Sequence, residues 1–454
     1  MAQKSLATDL TTGPLLKKIV LFSLPLAASS ILQLLFNAAD VIVVGRFAGS
    51  TALAAVGSNG ALINLLVNLF VGLSLGANVV AARCFGAKDE GGVQDTVRTS
   101  VTLGLGSGIV LAAAGFLASR GLLELMSCPE DVIELSALYL KIYFLGMPAA
   151  MLYNFCAALL RAVGDTRRPL ICLAVSGLVN VGLNLVFVIG FHMSVAGVAL
   201  ATIISQAVSA AMVVSLLVKE QGALHLDLHH LGLHQGTLRQ ILRIGLPAGL
   251  QSTVFSLSNV VIQSSINSFG SVIVAGNSAA SNLEGFIYTG MNAFAQAAVT
   301  FTSQNIGARR YDNLDRVMRN CLLCAVGVGA VLGSGAYLCG ESLLHFYSSD
   351  PAVIAAGLAR MEIICTFYFV CGCMDTLASG LRGRGYSVLP MVVSLVGSCL
   401  LRVVWVATIF QTFHTTTVLY LSYPVSWALT AAAHLVCLLV VRRKTQQQLE
   451  AGAL

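Results

Sequence analysis

Charge is scarce in this chain. Asp, Glu, Lys and Arg make up 10% of its 454 residues, against roughly 25% in soluble domains. With 57% hydrophobic residues and a mean hydropathy of +0.84, that shortage excludes an ordinary soluble protein and points to a membrane as solvent. No G-x-x-x-x-G-K-[ST] phosphate loop occurs anywhere, so the chain carries no ATP site of that kind. Gly-rich pieces such as "GLGSG" (Gly104 to Gly108) lie inside apolar runs and read as small-residue packing faces. The alternating ten-residue strands of an outer-membrane barrel are missing as well. The chain opens on the polar "MAQKSLATDLTTG", so no cleaved signal peptide is expected and the first apolar segment serves as the targeting signal.

Apolar segments are what the chain has in quantity. Twelve can be drawn, at about 15–45, 52–80, 93–119, 131–160, 168–190, 195–218, 238–268, 272–303, 316–338, 351–380, 387–411 and 417–441. Each is long enough to cross a hydrocarbon core of roughly 30 Å at 1.5 Å per residue. An all-α polytopic membrane protein of twelve transmembrane helices is therefore expected. With the N-terminus inside, 21 of the 26 Lys and Arg residues fall on inner segments, which places both termini in the cytoplasm. The net charge of +6 thus reports topology and is no sign of nucleic-acid binding. Twelve cysteines lie mostly within the spans, where a thiol behaves as a small hydrophobe; "CLLC" at Cys321 to Cys324 reads as packing.

The two halves resemble each other. "LKKIVLFSLPLAASS" from Leu16 matches "LRQILRIGLPAGLQS" from Leu238, with Leu24-Pro25 on Leu246-Pro247 and Asn37 on Asn259. "FGAK" from Phe85 meets "IGAR" from Ile306, and "LRAVGDTRRP" from Leu160 meets "LRGRGYSVLP" from Leu381. Six spans per repeat make the relation parallel, about an axis along the membrane normal. The expected organisation is a six-helix lobe over 1–218, a cytoplasmic linker over 219–237, a second six-helix lobe over 238–441 and a cytoplasmic tail over 442–454. In the linker, His225, His229, His230 and His234 have helical i, i+4 spacings. No Cys accompanies them and no zinc module matches, so an interfacial linker is expected and no metal site.

Intramembrane acids are costly and default to function. Of twenty Asp and Glu residues, Asp40, Glu284 and Asp375 are flanked by apolar residues within spans. At 1.5 Å per residue, Asp40, Asn184 and Thr202 share a depth, with Asn180 one turn from Asn184 and Asn37 one turn from Asp40. These amides can bond the carboxylate or coordinate a sodium ion, although Asn37 reads rather as a packing element. Glu362 and Arg402 also match in depth and suggest a structural ion pair. Glu284 and Asp375 are then the candidates for contact with a cationic substrate.

These residues carry a resemblance to the multidrug and toxic compound extrusion (MATE) family of the MOP superfamily, over nearly the whole chain. Its carriers are "SLP" and "FNAADVIVVGRFAG" in span one, "CFGAKDEGGV" after span two, "LLRAVGDTRRP" after span four, "NVGLNLVFVIGF" with "AGVALATIISQ" in spans five and six, and "SQNIGARR" after span eight. The resemblance implies an inner-membrane antiporter, a monomer, that exports cationic and amphipathic drugs against protons or sodium by alternating access of two lobes, with no cofactor. It implies that Asp40 is the coupling carboxylate, that Asn180, Asn184 and Thr202 form its hydrogen-bonding cluster, and that Pro25 is the bending proline of the first helix. The chain departs from the family in having Asn184 where an aspartate is frequent, and Gln251 and Phe255 where another branch has a sodium-binding glutamate. Gln251 joins Asp40, Glu284 and Asp375 as a candidate substrate contact. The alternative is a flippase for a lipid-linked precursor, which would want several basic residues in its cavity, where the spans offer chiefly Arg402 and Lys141. An enzyme is not expected, because no nucleophile or metal cluster gathers at one depth.

Overall fold

The computed structural model describes residues 8–451 apart from 126, 127 and 129, and among these no strand occurs. Twelve long helical segments account for nearly all of them. The first half contains α1 (Leu15–Phe47), α2 (Ser50–Gly86), α3 (Glu90–Leu125), α4 (Glu130–Leu145), α5 (Met147–Ala162), α6 (Arg167–Asn184, prolonged by a π turn over Leu185–Gly190) and α7 (Ser194–Lys219). The second contains α8 (Gln235–Asn267), α9 (Ser271–Gly307), α10 (Leu314–Leu338), the short α11 (Gly340–His345), α12 (Pro351–Ile364), α13 (Tyr368–Gly383), α14 to α16 (Val388–Ser394, Leu401–Ala407 and Ile409–Thr412, with a π turn over Leu395–Leu400) and α17 (Thr416–Glu450).

Two expected spans are broken. The fourth bends by 47° between α4 and α5, and the tenth by 48° between α12 and α13. Pro148 in the first turn of α5 cannot donate a backbone hydrogen bond back across the first of these bends. The helix α1, by contrast, continues through Pro25, and α8 through Pro247. By length and composition, ten segments are apolar enough to span, counting each bent pair once. The remaining two, α8 and α9, are as long as their counterparts and more polar, with Gln251, Asn277 and Glu284 among their residues.

The duplication is written into the backbone. Positive φ angles recur in pairs: 57° at Lys88 and 56° at Arg309, 91° at Gly49 and 92° at Gly270, 85° at Gly164 and 91° at Gly385. Each member lies 221 positions from its partner, so the same three corners turn in both halves. At Gly49 and Gly270, which open α2 and α9, the left-handed backbone is one that glycine adopts without penalty.

The described chain divides into two compact units. One contains Ala28–Gly249 with the described residues of Met1–Asp9; the other contains Leu10–Ala27 and Leu250–Leu454. The units cut α1 two residues after Pro25 and α8 two residues after Pro247. In the second unit, Leu10, Leu15, Ile19, Phe22 and Leu26 form a core with Phe294, Ala297 and Phe301, and the rings of Phe22 and Phe301 meet edge to face at 5.5 Å. Gln304 Oε1 accepts from the Leu10 N–H at 3.1 Å, and Asn313 donates to the Thr11 carbonyl at 2.8 Å. In the first unit the start of α8 lies against α2 through glycines at four-residue spacing. A Cβ at Gly72 would stand 2.3 Å from the Gly249 backbone, and one at Gly76 would stand 2.3 Å from the Ile241 carbonyl oxygen, a small-xxx-small approach of two helices. Gly76→Leu is expected to cost about 1–3 kcal/mol or more through overpacking. The check is the thermal unfolding midpoint in detergent, and an unchanged midpoint would refute the close contact.

All twelve cysteines are free thiols, and Cys321 is fully buried in apolar packing.

Candidate functional site

On α1, Gln33, Asn37 and Asp40 fall at i, i+4 and i+7 and so share one face. That face lies close to α6 because Gly177 has no side chain. A Cβ there would sit 1.8 Å from the Phe36 ring, so the ring rests directly on the α6 backbone and draws the polar stripe in behind it. Ser176, Asn180 and Asn184 then follow one another at single-turn spacing along α6. The Asn184 amide donates to Asp40 Oδ1 and, at 3.3 Å, to Asn180 Oδ1. The π turn begins at the next residue, a local widening of the helix that is frequent at functional sites.

Asp40 and Asn180 line a cavity of about 160 Å³ within the first unit, walled by α1, α5, α6 and α7. The hydroxyls of Thr202, Ser205 and Ser209 donate to the carbonyls of Val198, Thr202 and Gln206. With the proton committed to the helix, each hydroxyl oxygen keeps only acceptor capacity for other ligands. Two buried acceptors of the same region, Asn184 Oδ1 and Gln206 Oε1, have no partner among the described residues. Asp40 is the one carboxylate among the described lining residues, and no Lys or Arg is among them. Lined in this way, the chamber is suited to a proton or another cation.

Asp40, Asn180, Asn184 and Thr202 are thus brought together, Thr202 as a wall residue without a bond to Asp40. Asn37, expected as packing, also lines the cavity. Gln33, Asn154, Ser205, Gln206 and Ser209 were missed. For Asn154 a signal existed, because it stands 221 positions before Asp375.

The second-half candidates are placed differently. Glu284 is held by Arg360 through two hydrogen bonds, Nε to Oε1 at 2.8 Å and Nη2 to Oε2 at 2.7 Å, while Arg360 Nη1 donates to Asn277 Oδ1 at 2.6 Å. Both members of the pair are 5% exposed. This corrects the expectation of Glu284 as a contact for a cationic substrate, since a fixed guanidinium already meets its charge. The expected pair of Glu362 with Arg402 does not form either: Glu362 is exposed, and Arg402 donates to Ser426. Gln251 is buried and accepts from Arg382 Nη2 at 2.7 Å. Asp375 accepts from the Tyr288 hydroxyl at 3.1 Å and has no ion-pair partner among the described residues.

The linker histidines are tied into local turns. Asp227 accepts from the His229 N–H at 2.9 Å and bonds His230 Nδ1 at 2.6 Å, and the His230 ring holds the Asp227 carboxyl below its ordinary range. Meanwhile His234 bonds Thr237, and its own N–H donates to Thr99. Among the described residues, no three His, Cys, Asp or Glu gather as a metal site would require.

A duplicated series of long apolar helices with acids buried among the described residues is the architecture of a membrane transporter. The MatE family model matches it twice, over residues 25–186 and 247–408, and the chain belongs to that family. It is 28% identical over 402 residues to a Bacillus subtilis protein described as probable multidrug resistance protein YoeA, covering 87% of each chain. A second Bacillus subtilis protein, probable multidrug resistance protein YpnP, is 29% identical over 396 residues, covering 87% of this chain and 88% of its own. A solved structure described as the outward-facing conformation of a multidrug resistance MATE family transporter of the MOP superfamily superposes with a TM-score of 0.90 at 21% identity. It covers 98% of this chain and 100% of its own.

Proposed function

We propose that the chain is a secondary active multidrug exporter, exchanging cationic and amphipathic compounds for protons or sodium by alternating access. One observation carries the reading: Asp40 holds a carboxylate in a polar chamber, bonded by the Asn184 amide and facing no Lys or Arg among the described lining residues. An acid so placed takes up a proton or a sodium ion without first breaking an ion pair. Because charge is expensive at membrane depth, the loaded and unloaded chamber have different costs in different conformations of the transporter. That difference is what couples ion movement to substrate movement. Asn184 orients the coupling carboxylate directly and Asn180 through Asn184, Thr202 offers an acceptor oxygen to an ion in the same chamber, and Asp375 is the remaining candidate for a substrate cation. Pro25, where α1 loses one backbone hydrogen bond, is the proposed hinge. The protein would act as a monomer in the cell membrane, with both termini on the cytoplasmic side. A flippase would want several unmatched basic groups in one chamber; the N-half cavity has none among its described lining residues, and Arg360 is already neutralised.

Reconstituted into liposomes, the protein is expected to move a fluorescent organic cation when a proton gradient alone, or a sodium gradient alone, is imposed. The gradient that works names the coupling ion, and no movement with either would overturn the proposal.

A further inference from the structure

The second unit buries a cation, Arg402, that forms no ion pair among the described residues. Arg402 is 3% exposed, near the middle of its span, where an unmatched guanidinium is costly. It is the last rung of a polar ladder. Ser394, Ser398 and Arg402 follow one another at four-residue spacing, and so, in the opposite direction on α17, do His434, Thr430 and Ser426. The rungs close at 3.0 Å for Ser394 with His434, 3.1 Å for Ser398 with Thr430 and 2.9 Å from Arg402 Nε to Ser426 Oγ. The first two rungs join side chains that carry no fixed charge. The third does carry one, and a hydroxyl cannot offset a guanidinium charge.

The surroundings compensate only in part. The Arg402 guanidinium lies 4.4 Å from the Tyr423 ring centroid and 5.9 Å from that of Trp427. Such faces attract a guanidinium, but by far less than the cost of stripping it of water. The other side of Tyr423's environment is also basic, with Arg360 at 5.5 Å from the same ring. Glu284 is already held by both arms of Arg360. Glu284 is thus committed to Arg360, Asp375 is bonded to the Tyr288 hydroxyl, and Arg402 has no ion-pair partner among the described residues. Among the described residues Arg402 donates through Nε alone, to Ser426, so the donors on the outer edge of the fork, the edge that fits a carboxylate or a single anion, are uncommitted.

We propose that Arg402, oriented by Ser426 and framed by Tyr423 and Trp427, is an anion-binding site in the second unit. It would take a monoanionic group, either a small inorganic anion or the carboxylate of an aromatic amphiphile stacked against these rings. The proposal goes beyond the coupling role of Asp40, and its test measures binding, so it stands or falls apart from the transport reading.

The chain has two tryptophans, Trp405 and Trp427, so Trp405→Phe leaves Trp427 as a reporter beside the guanidinium. The purified full chain in nonionic detergent is titrated with sodium chloride, then with sodium benzoate, each replacing sodium isethionate at constant ionic strength. A saturable change in Trp427 emission is expected, absent in Arg402→Gln and kept with at least about tenfold weaker affinity in Arg402→Lys, which retains charge without the fork. A response to chloride assigns an inorganic anion; a response to benzoate alone assigns the anionic group of an amphiphile. Should Arg402→Gln fail to fold, Ser426→Ala decides: it keeps the charge and is expected to weaken binding by about 2- to 13-fold through loss of one orienting hydrogen bond. No saturable response to either anion, an equal response in Arg402→Gln, or unchanged affinity in Ser426→Ala would overturn the site.

Discussion

Asp40→Asn is expected to abolish ion-driven export while leaving the protein folded. Asparagine has nearly the shape of aspartate and keeps an oxygen that can accept from the Asn184 amide, the contact Asp40 makes now. What it cannot do is carry a negative charge, and with it goes the only carboxylate among the described residues lining the chamber. Gradient-driven flux should fall at least about tenfold, the equivalent of about 1.4 kcal/mol of lost coupling, with the unfolding midpoint close to that of the parent. Measuring both separates the coupling role from a structural one. Flux equal to wild type would remove Asp40 from the mechanism, and a large drop in midpoint would reassign it to packing.

The largest loss of stability is expected at Glu284. Glu284→Ala strands the Arg360 guanidinium, 5% exposed, with Asn277 and two tyrosine rings as its remaining company. Breaking a buried pair in this way costs about 3–5 kcal/mol, whereas replacing both members by apolar residues of similar volume is often neutral. The single variant should therefore express poorly or melt early, and the double variant Glu284→Leu with Arg360→Met should recover most of the midpoint. Detergent thermal unfolding of the three proteins checks this. A double variant no better than the single would mean that the pair is not an isolated unit of charge.

The twelve helices were legible because hydrocarbon thickness sets their length and composition together. The duplication was legible in short pieces, such as "FGAK" with "IGAR" and "LRAVGDTRRP" with "LRGRGYSVLP", because the same tight corners, at Lys88 and Arg309 and at Gly164 and Gly385, require similar residues. Asp40 stood out by its cost, and depth alone placed Asn184 beside it. Depth failed for Glu362 and Arg402 because it carries no azimuth. Arg360 and Glu362 are two residues apart on α12, hence on different faces, and it is Arg360 that turns inward. The bends in the fourth and tenth spans escaped as well, since an apolar run reads the same whether straight or broken. Nor could composition reveal which helices the first turns of α1 and α8 would pack against, because those contacts join residues more than 150 positions apart.

That last feature bears on how the chain is made. Residues 10–27 leave the ribosome early, yet their packing partners in α9 lie beyond residue 290. At about 5–20 residues per second, they wait tens of seconds in a nascent chain before those partners exist. The first unit is likewise incomplete until the segment up to Gly249 has been synthesised. A ribosome that stopped at the linker would release a protein with one helix end unmatched and one groove unfilled. Duplication here has produced two copies of a sequence pattern without producing two independently foldable bodies.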